Sequence, residues 1–175
     1  NEWYTEDNVL RFDSRHEFEA PLTTGALNVV PFAAARYTAW DTSFDDFNGD
    51  NNESQRVWGA LGVRMATTIQ RIDNDRASDL FDLNGIRHLI EPSLTVWHAG
   101  STIDRGDLPV YDESVESIAD GTAARLGLRN TWQTKRGPIG QERSVDWLAI
   151  DASLGWSSSD LDPRSPLPDF YEARP

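Results

Sequence analysis

Hydrophobic and polar positions alternate through residues 86–100, IRHLIEPSLTVWHAG. One face carries Ile86, His88, Ile90, Pro92, Leu94, Val96 and His98, and is mostly aliphatic. The other carries Arg87, Leu89, Glu91, Ser93, Thr95 and Trp97. The same period of two returns in five further segments. In 57–70, Val57, Leu61, Val63, Met65 and Ile69 oppose Trp58, Arg64 and Gln70. In 123–135, Leu126, Leu128 and Trp132 oppose Arg125 and Arg129, and in 144–156, Leu148, Ile150 and Leu154 oppose Asp151 and Ser153. Segment 27–40 sets Leu27, Val29 and Tyr37 against Asn28, Arg36 and Thr38, and 8–18 sets Phe12 and Phe18 against Arg11, Asp13, Arg15 and Glu17. Side chains that alternate over this length belong to strands, not helices. The pattern predicts an all-β chain of about six long antiparallel strands at 8–18, 27–40, 57–70, 86–99, 123–135 and 144–156. Only 113–121 suggests a short helical turn.

These segments run well past the ~5–6 residues of an ordinary strand and match a membrane strand of roughly 9–11 residues with its interfacial ends. The polar face stays polar through its centre. Tyr37, Trp40, Trp58, Trp97, Trp132 and Trp156 fall near strand ends, where an aromatic girdle is expected. The connections 19–26, 71–85 and 135–143 are shorter than 41–56, 100–122 and the tail from 157, which is the parity of short periplasmic turns and long outer loops. The 71–85 segment is long for a turn. Pro31 and Pro92 lie inside strands, where a central position rejects proline. The pattern thus predicts a section of an outer-membrane β-barrel. A soluble β-sandwich with exposed tryptophans also alternates, and a carbohydrate-binding module of that kind stays open as the second reading.

The net charge of −13 over 175 residues argues against nucleic acid as a partner. The acids concentrate in 41–56 and 100–122, which together hold eleven carboxylates. If those loops share one end of the sheet, the crowding invites divalent counter-ions, with Asp46, Asp50 and Asp112 as weak candidates. DDFNGDNNES (45–54) resembles a calcium loop, but its Gly49 comes too early for an EF-hand and no Glu closes it at the expected place. All basic residues except Lys135 are arginines. That bias fits either a GC-rich coding sequence or forked recognition of phosphate and carboxylate. The chain has no cysteine, so thiolate metal sites, disulfides and thiol nucleophiles are excluded. His16, His88 and His98 share no metal-ligand spacing, and no catalytic motif is present, so neither enzymatic activity nor a cofactor is expected. The chain begins without Met and reads as an excised section of a longer protein.

The stretch Arg87, His88, Glu91 and Pro92, followed by Leu108, Pro109, Tyr111 and Asp112 and then RLGLRN at 125–130, resembles the C-terminal barrel region of the lipopolysaccharide-assembly protein family LptD (OstA). The likeness is strongest over 86–135 and extends as a strand pattern over 8–156. It implies a large closed barrel in the cell outer membrane that inserts lipopolysaccharide or a related glycolipid into the outer leaflet. An LptE-like plug lipoprotein and a periplasmic lipopolysaccharide bridge are the implied partners. On this reading Arg36, Arg64, Arg87, Glu91, Arg125 and Arg129 face the lumen. His88, Pro92, Leu108, Pro109 and Asp112 hold the family's motif positions. The chain departs from the family in having too few strands to enclose its lumen and in lacking the cysteines that some members use.

Overall fold

A computed structural model of the chain describes residues 8–44, 54–138 and 140–158. They form one open antiparallel sheet of eight strands. The strands are β1 (Arg11–Glu19), β2 (Leu22–Thr24), β3 (Leu27–Trp40), β4 (Gln55–Thr67), β5 (Ile69–Ser78), β6 (Leu83–Ser101), β7 (Gly121–Arg136) and β8 (Arg143–Ser157). Their order is β1-β3-β4-β6-β7-β8, with β2 continuing β1 alongside β3 and β5 continuing β4 alongside β6. The fold is all-β, as the alternation predicts. Among the described residues the outer strands β1 and β8 do not pair with each other, so the sheet is not closed into a barrel.

The expected segment 57–70 is two strands, not one, separated at Thr68. Most of the expected 71–85 loop is the strand β5, which leaves only residues 79–82 as a tight turn. The excessive length of that connection therefore disappears, and every connection at this end of the sheet is short. β5 escapes a reading based on alternation because RIDNDRAS is polar on both faces.

Both prolines lie opposite such breaks. Pro31 accepts Ala20 N–H at 3.0 Å on the side where β1 gives way to β2. A strand residue points its N and its C=O to the same neighbour, so the missing proline donor faces that interruption. Pro92 pairs with Leu128 on β7, and its other neighbour is the break between β4, last paired at Ala66, and β5, first paired at Ile69.

Register sorts the side chains into two sets. Val63 pairs with Val96, Leu94 with Leu126, Leu126 with Leu154 and Trp132 with Leu148, so the aliphatic positions form one continuous surface. Arg64 pairs with Thr95, Thr95 with Arg125 and Glu91 with Arg129, which places the lumen candidates on the opposite surface. The aliphatic surface is the bare one: Leu61 is 68% and Leu154 71% exposed. The core lies on the arginine side, where Phe32, Ala34, Trp58, Ala60, Trp97, Ala99 and Ala123 pack beneath Ile118 and Ala119. A soluble one-sheet protein covers its greasy face; this one covers its polar face.

Candidate functional site

Among the described residues the cover over the arginine face is a single segment, residues 102–120, which leaves the end of β6, makes one 3-10 turn at Arg105–Asp107 and returns to β7. It is tied down largely through its backbone carbonyls. Arg36 Nη1 donates to Ser114 O at 2.5 Å, Arg56 Nη1 to Glu116 O at 2.9 Å and Arg56 Nη2 to Val115 O. Trp58 Nε1 donates to Ala119 O at 3.0 Å. Three side chains projecting from β3 and β4, with four donors between them, thus satisfy an irregular segment whose carbonyls would otherwise be buried without partners. Glu116, 0% exposed, accepts Arg11 Nη1 at 2.8 Å with one carboxylate oxygen and the Asp112 N–H at 2.8 Å with the other. Its charge is buried but fully answered, the condition under which such burial is tolerated.

The root of the strap is anchored separately by Leu108, which packs with Trp40, Phe44 and Ile103. Pro109 beside it is buried, while Tyr111 is exposed and lies 6.3 Å from the Phe44 ring. The L-P-x-Y-D positions therefore hold the strap to the end of the sheet. Asp112 completes the anchor: it accepts Ser114 Oγ at 2.7 Å and Ser114 N at 2.9 Å, and lies 3.5 Å from Arg11 Nη2.

Those Ser114 hydrogen bonds, followed by Arg11, hold the Asp112 carboxyl below the usual carboxylate range. A carboxyl lowered by folding stabilises the fold above its unfolded pKa, about 3.9, and loses that contribution as pH falls through its lower folded value. Amide-exchange protection at 112–116 is therefore expected to persist at about pH 4 and to fall only in stronger acid. Ser114→Ala should move that loss to higher pH, and an unchanged acid profile in the variant would remove Asp112 from the anchor.

The lumen candidates divide by their surroundings. Arg36 is buried and makes a bidentate pair with Asp13, at 2.8 Å from Nε and 2.7 Å from Nη2. Thr38 donates to the same carboxylate at 2.9 Å. Arg64 is buried, binds Glu19 and lies over the Phe32 ring, 5.1 Å from its centroid. Phe32 can lie flat there because its cross-strand partner is Gly62, where an added Cβ would come within 2.3 Å of the ring. Arg87, Glu91, Arg125 and Arg129 are half-buried and lie beyond the described contacts of the strap. Arg129 sits in register between Glu91 and Asp151, so the charges alternate across three strands. Alternation alone does not single out Arg11, Asp13, Arg56 and Glu116, although the first three share the parity of the arginine face.

Three sequence expectations need correction. Trp40, Trp58 and Trp97 are not girdle residues: they lie on the arginine face, and Trp58 and Trp97 are only 0% and 1% exposed. The exposed aromatics form two other bands. Phe12, Tyr37 and Trp156 stand at the long-loop end, and Phe18, Phe81 and Trp147, with the half-buried Trp132, at the turn end. On β7 the bands are separated by the eight residues from Ala124, opposite Trp156, to Trp132. At ~3.4 Å per residue that is about 27 Å of strand.

Second, the loops that begin after β3 and β6 do share one end of the sheet, but 102–120 folds inward instead of crowding its acids at a rim. Third, the Asp112 carboxylate is engaged by protein donors. Among the described residues no group of three or more His, Asp or Glu could hold a metal ion. Asp46 and Asp50 lie outside the described residues.

The motif histidine His88 is on the aliphatic face, stacked on Trp132 with centroids 4.4 Å apart, and its Nε2 lies 3.2 Å from Asn130 Oδ1. His98 pairs with Thr122 Oγ1 at 2.9 Å and His16 with Ser14 Oγ at 3.0 Å. All three are occupied in local hydrogen bonds. No described helix is long and apolar enough to cross a membrane, which does not bear on crossing by strands. Comparison of the chain with protein-family models, with curated proteins and with solved structures yields no significant match.

Proposed function

We propose that this chain is a section of an outer-membrane β-barrel of the LptD type, which passes lipopolysaccharide or a related glycolipid to the outer leaflet. The observation that carries the membrane part of the reading is the inversion of the faces. An aliphatic surface bounded by two aromatic bands is exposed, while the arginine-rich surface is covered in part by the strap. Only hydrocarbon makes such an exposure favourable, since apolar area left in water costs about 25 cal/mol per Å². The glycolipid part rests on the resemblance at 86–135 and on the arginines of the inner face, whose forked donors suit phosphate groups. The plug lipoprotein and the periplasmic bridge belong to the same resemblance. The alternative sandwich needs a second layer on Leu61, Leu126 and Leu154, which are more than half exposed.

Photo-crosslinking in cells tests both parts, with a benzophenone side chain placed in the full-length protein at Arg125 or, separately, at Leu126. The two positions are neighbours on opposite faces. Adducts to bilayer lipid are expected at Leu126 and adducts to lipopolysaccharide at Arg125. Leu126 without lipid adducts would overturn the membrane reading. Arg125 without lipopolysaccharide would overturn the cargo and leave the barrel standing.

A further inference from the structure

At the turn end of the arginine face, away from the strap, strands β5 to β8 border a cleft of about 440 Å³. Its lining includes Gln70, Asn74, Arg87, Gln133, Lys135 and Ser144. That volume suits a small ligand. The two cations here differ from three others on the arginine face. Arg11, Arg36 and Arg64 each bind a carboxylate. Arg87 instead gives Nε and Nη2 to the neutral Gln70 Oε1, at 3.1 and 2.8 Å, and Lys135 Nζ reaches Asn74 Oδ1 at 3.4 Å. An amide oxygen orients a cation without neutralising it.

Gln133 supplies an independent observation. Its Nε2 donates to Asp146 Oδ1 at 2.8 Å, and its Oε1 is buried with no hydrogen-bond partner. The carboxylate fixes the amide's orientation, because only the NH₂ end can face it. The buried oxygen is therefore an acceptor that calls for an external donor. A simple anion answers the cations but not Gln133, and a neutral sugar answers Gln133 but not the cations. One molecule with both groups answers both.

We propose that this cleft binds a phosphorylated saccharide, its phosphate on Arg87 and Lys135 and a sugar hydroxyl donating to Gln133 Oε1. The proposal deepens the glycolipid reading and rests on it for a lipid-borne source. The chemistry of the cleft is the same for a free sugar phosphate.

The test titrates glucosamine 1-phosphate, glucosamine and inorganic phosphate into the full-length protein in detergent, read by NMR of the Gln133 side-chain amide. Glucosamine 1-phosphate should shift that signal saturably. Inorganic phosphate and glucosamine should each bind at least about tenfold more weakly. Arg87→Gln and Lys135→Gln should each weaken the sugar phosphate at least about tenfold. Gln133→Leu should abolish the preference for sugar phosphate over phosphate. That variant is read at the Lys135 signal. Equal affinity for phosphate and sugar phosphate, or wild-type affinity in Lys135→Gln, would overturn the proposal. Nanodiscs containing lipid A then separate the sources. The same shift with lipid A supports a lipid-borne ligand, and its absence beside a positive free-sugar titration overturns that source. Crosslinking at Leu126 is unaffected by any of these outcomes, so failure of the cleft and failure of the barrel are distinguishable.

Discussion

Replacing Leu61 with arginine is expected to destabilise the bilayer-inserted protein by about 2–4 kcal/mol, the cost of a cation on the lipid face near the membrane midplane. Leu61 lies in the middle of β4, flanked by Ala33 on β3 and His98 on β6. It is already 68% exposed, so arginine meets no steric obstacle and breaks no packed core. In water such a surface exchange changes stability by no more than about 0.5 kcal/mol. The substitution therefore measures the solvent on that side of the sheet. Val57, on the same face four positions nearer the long-loop end, should cost only about 0–1 kcal/mol when replaced by arginine. Reversible urea unfolding from phospholipid vesicles reads both variants of the full-length protein. Two equally small losses would assign the aliphatic face to water.

Arg56→Met should release the strap, with a loss of about 2–5 kcal/mol. The guanidinium is 2% exposed and serves the carbonyls of Val115 and Glu116, so truncation leaves two buried acceptors without a donor. Met fills much of the volume, which confines the effect to the polar contacts. Arg56→Lys should be milder, because an ammonium keeps the charge but cannot reproduce the planar fork. Hydrogen exchange localises the change: amides of 112–120 should lose protection in Arg56→Met while strand amides of β6 and β7 keep theirs. Unchanged protection in the strap would mean that the apolar packing of Ile118 and Ala119 is sufficient to hold it.

The two faces were legible because a period of two leaves only one parity to choose, and six strands chose it consistently. The girdle assignment failed for Trp40, Trp58 and Trp97 although the same parity contained the correction. Trp58 shares its face with Arg64, and Trp97 shares its face with Glu91, whereas Trp132 and Trp156 share the face of the aliphatic residues. β5 was hidden for a physical reason: RIDNDRAS is polar on both faces, so no alternation marks it. The strap was hidden for another. Its partners are donors contacting backbone carbonyls, and carbonyls carry no sequence signal.

The partnership of Arg11 with Glu116 spans 105 residues, while each long strand of the sheet pairs with the next long strand along the chain. Sheet growth can therefore proceed as a series of neighbouring hairpins with little loop-closure entropy at each step. The strap has no such freedom. Its acceptors meet Arg11, Arg36, Arg56 and Trp58 only after β1, β3 and β4 are aligned, and a one-residue slip in any of them would turn its donors to the other face. Docking of 112–120 is in this sense a late checkpoint in maturation, completed only when β1, β3 and β4 stand in their right registers.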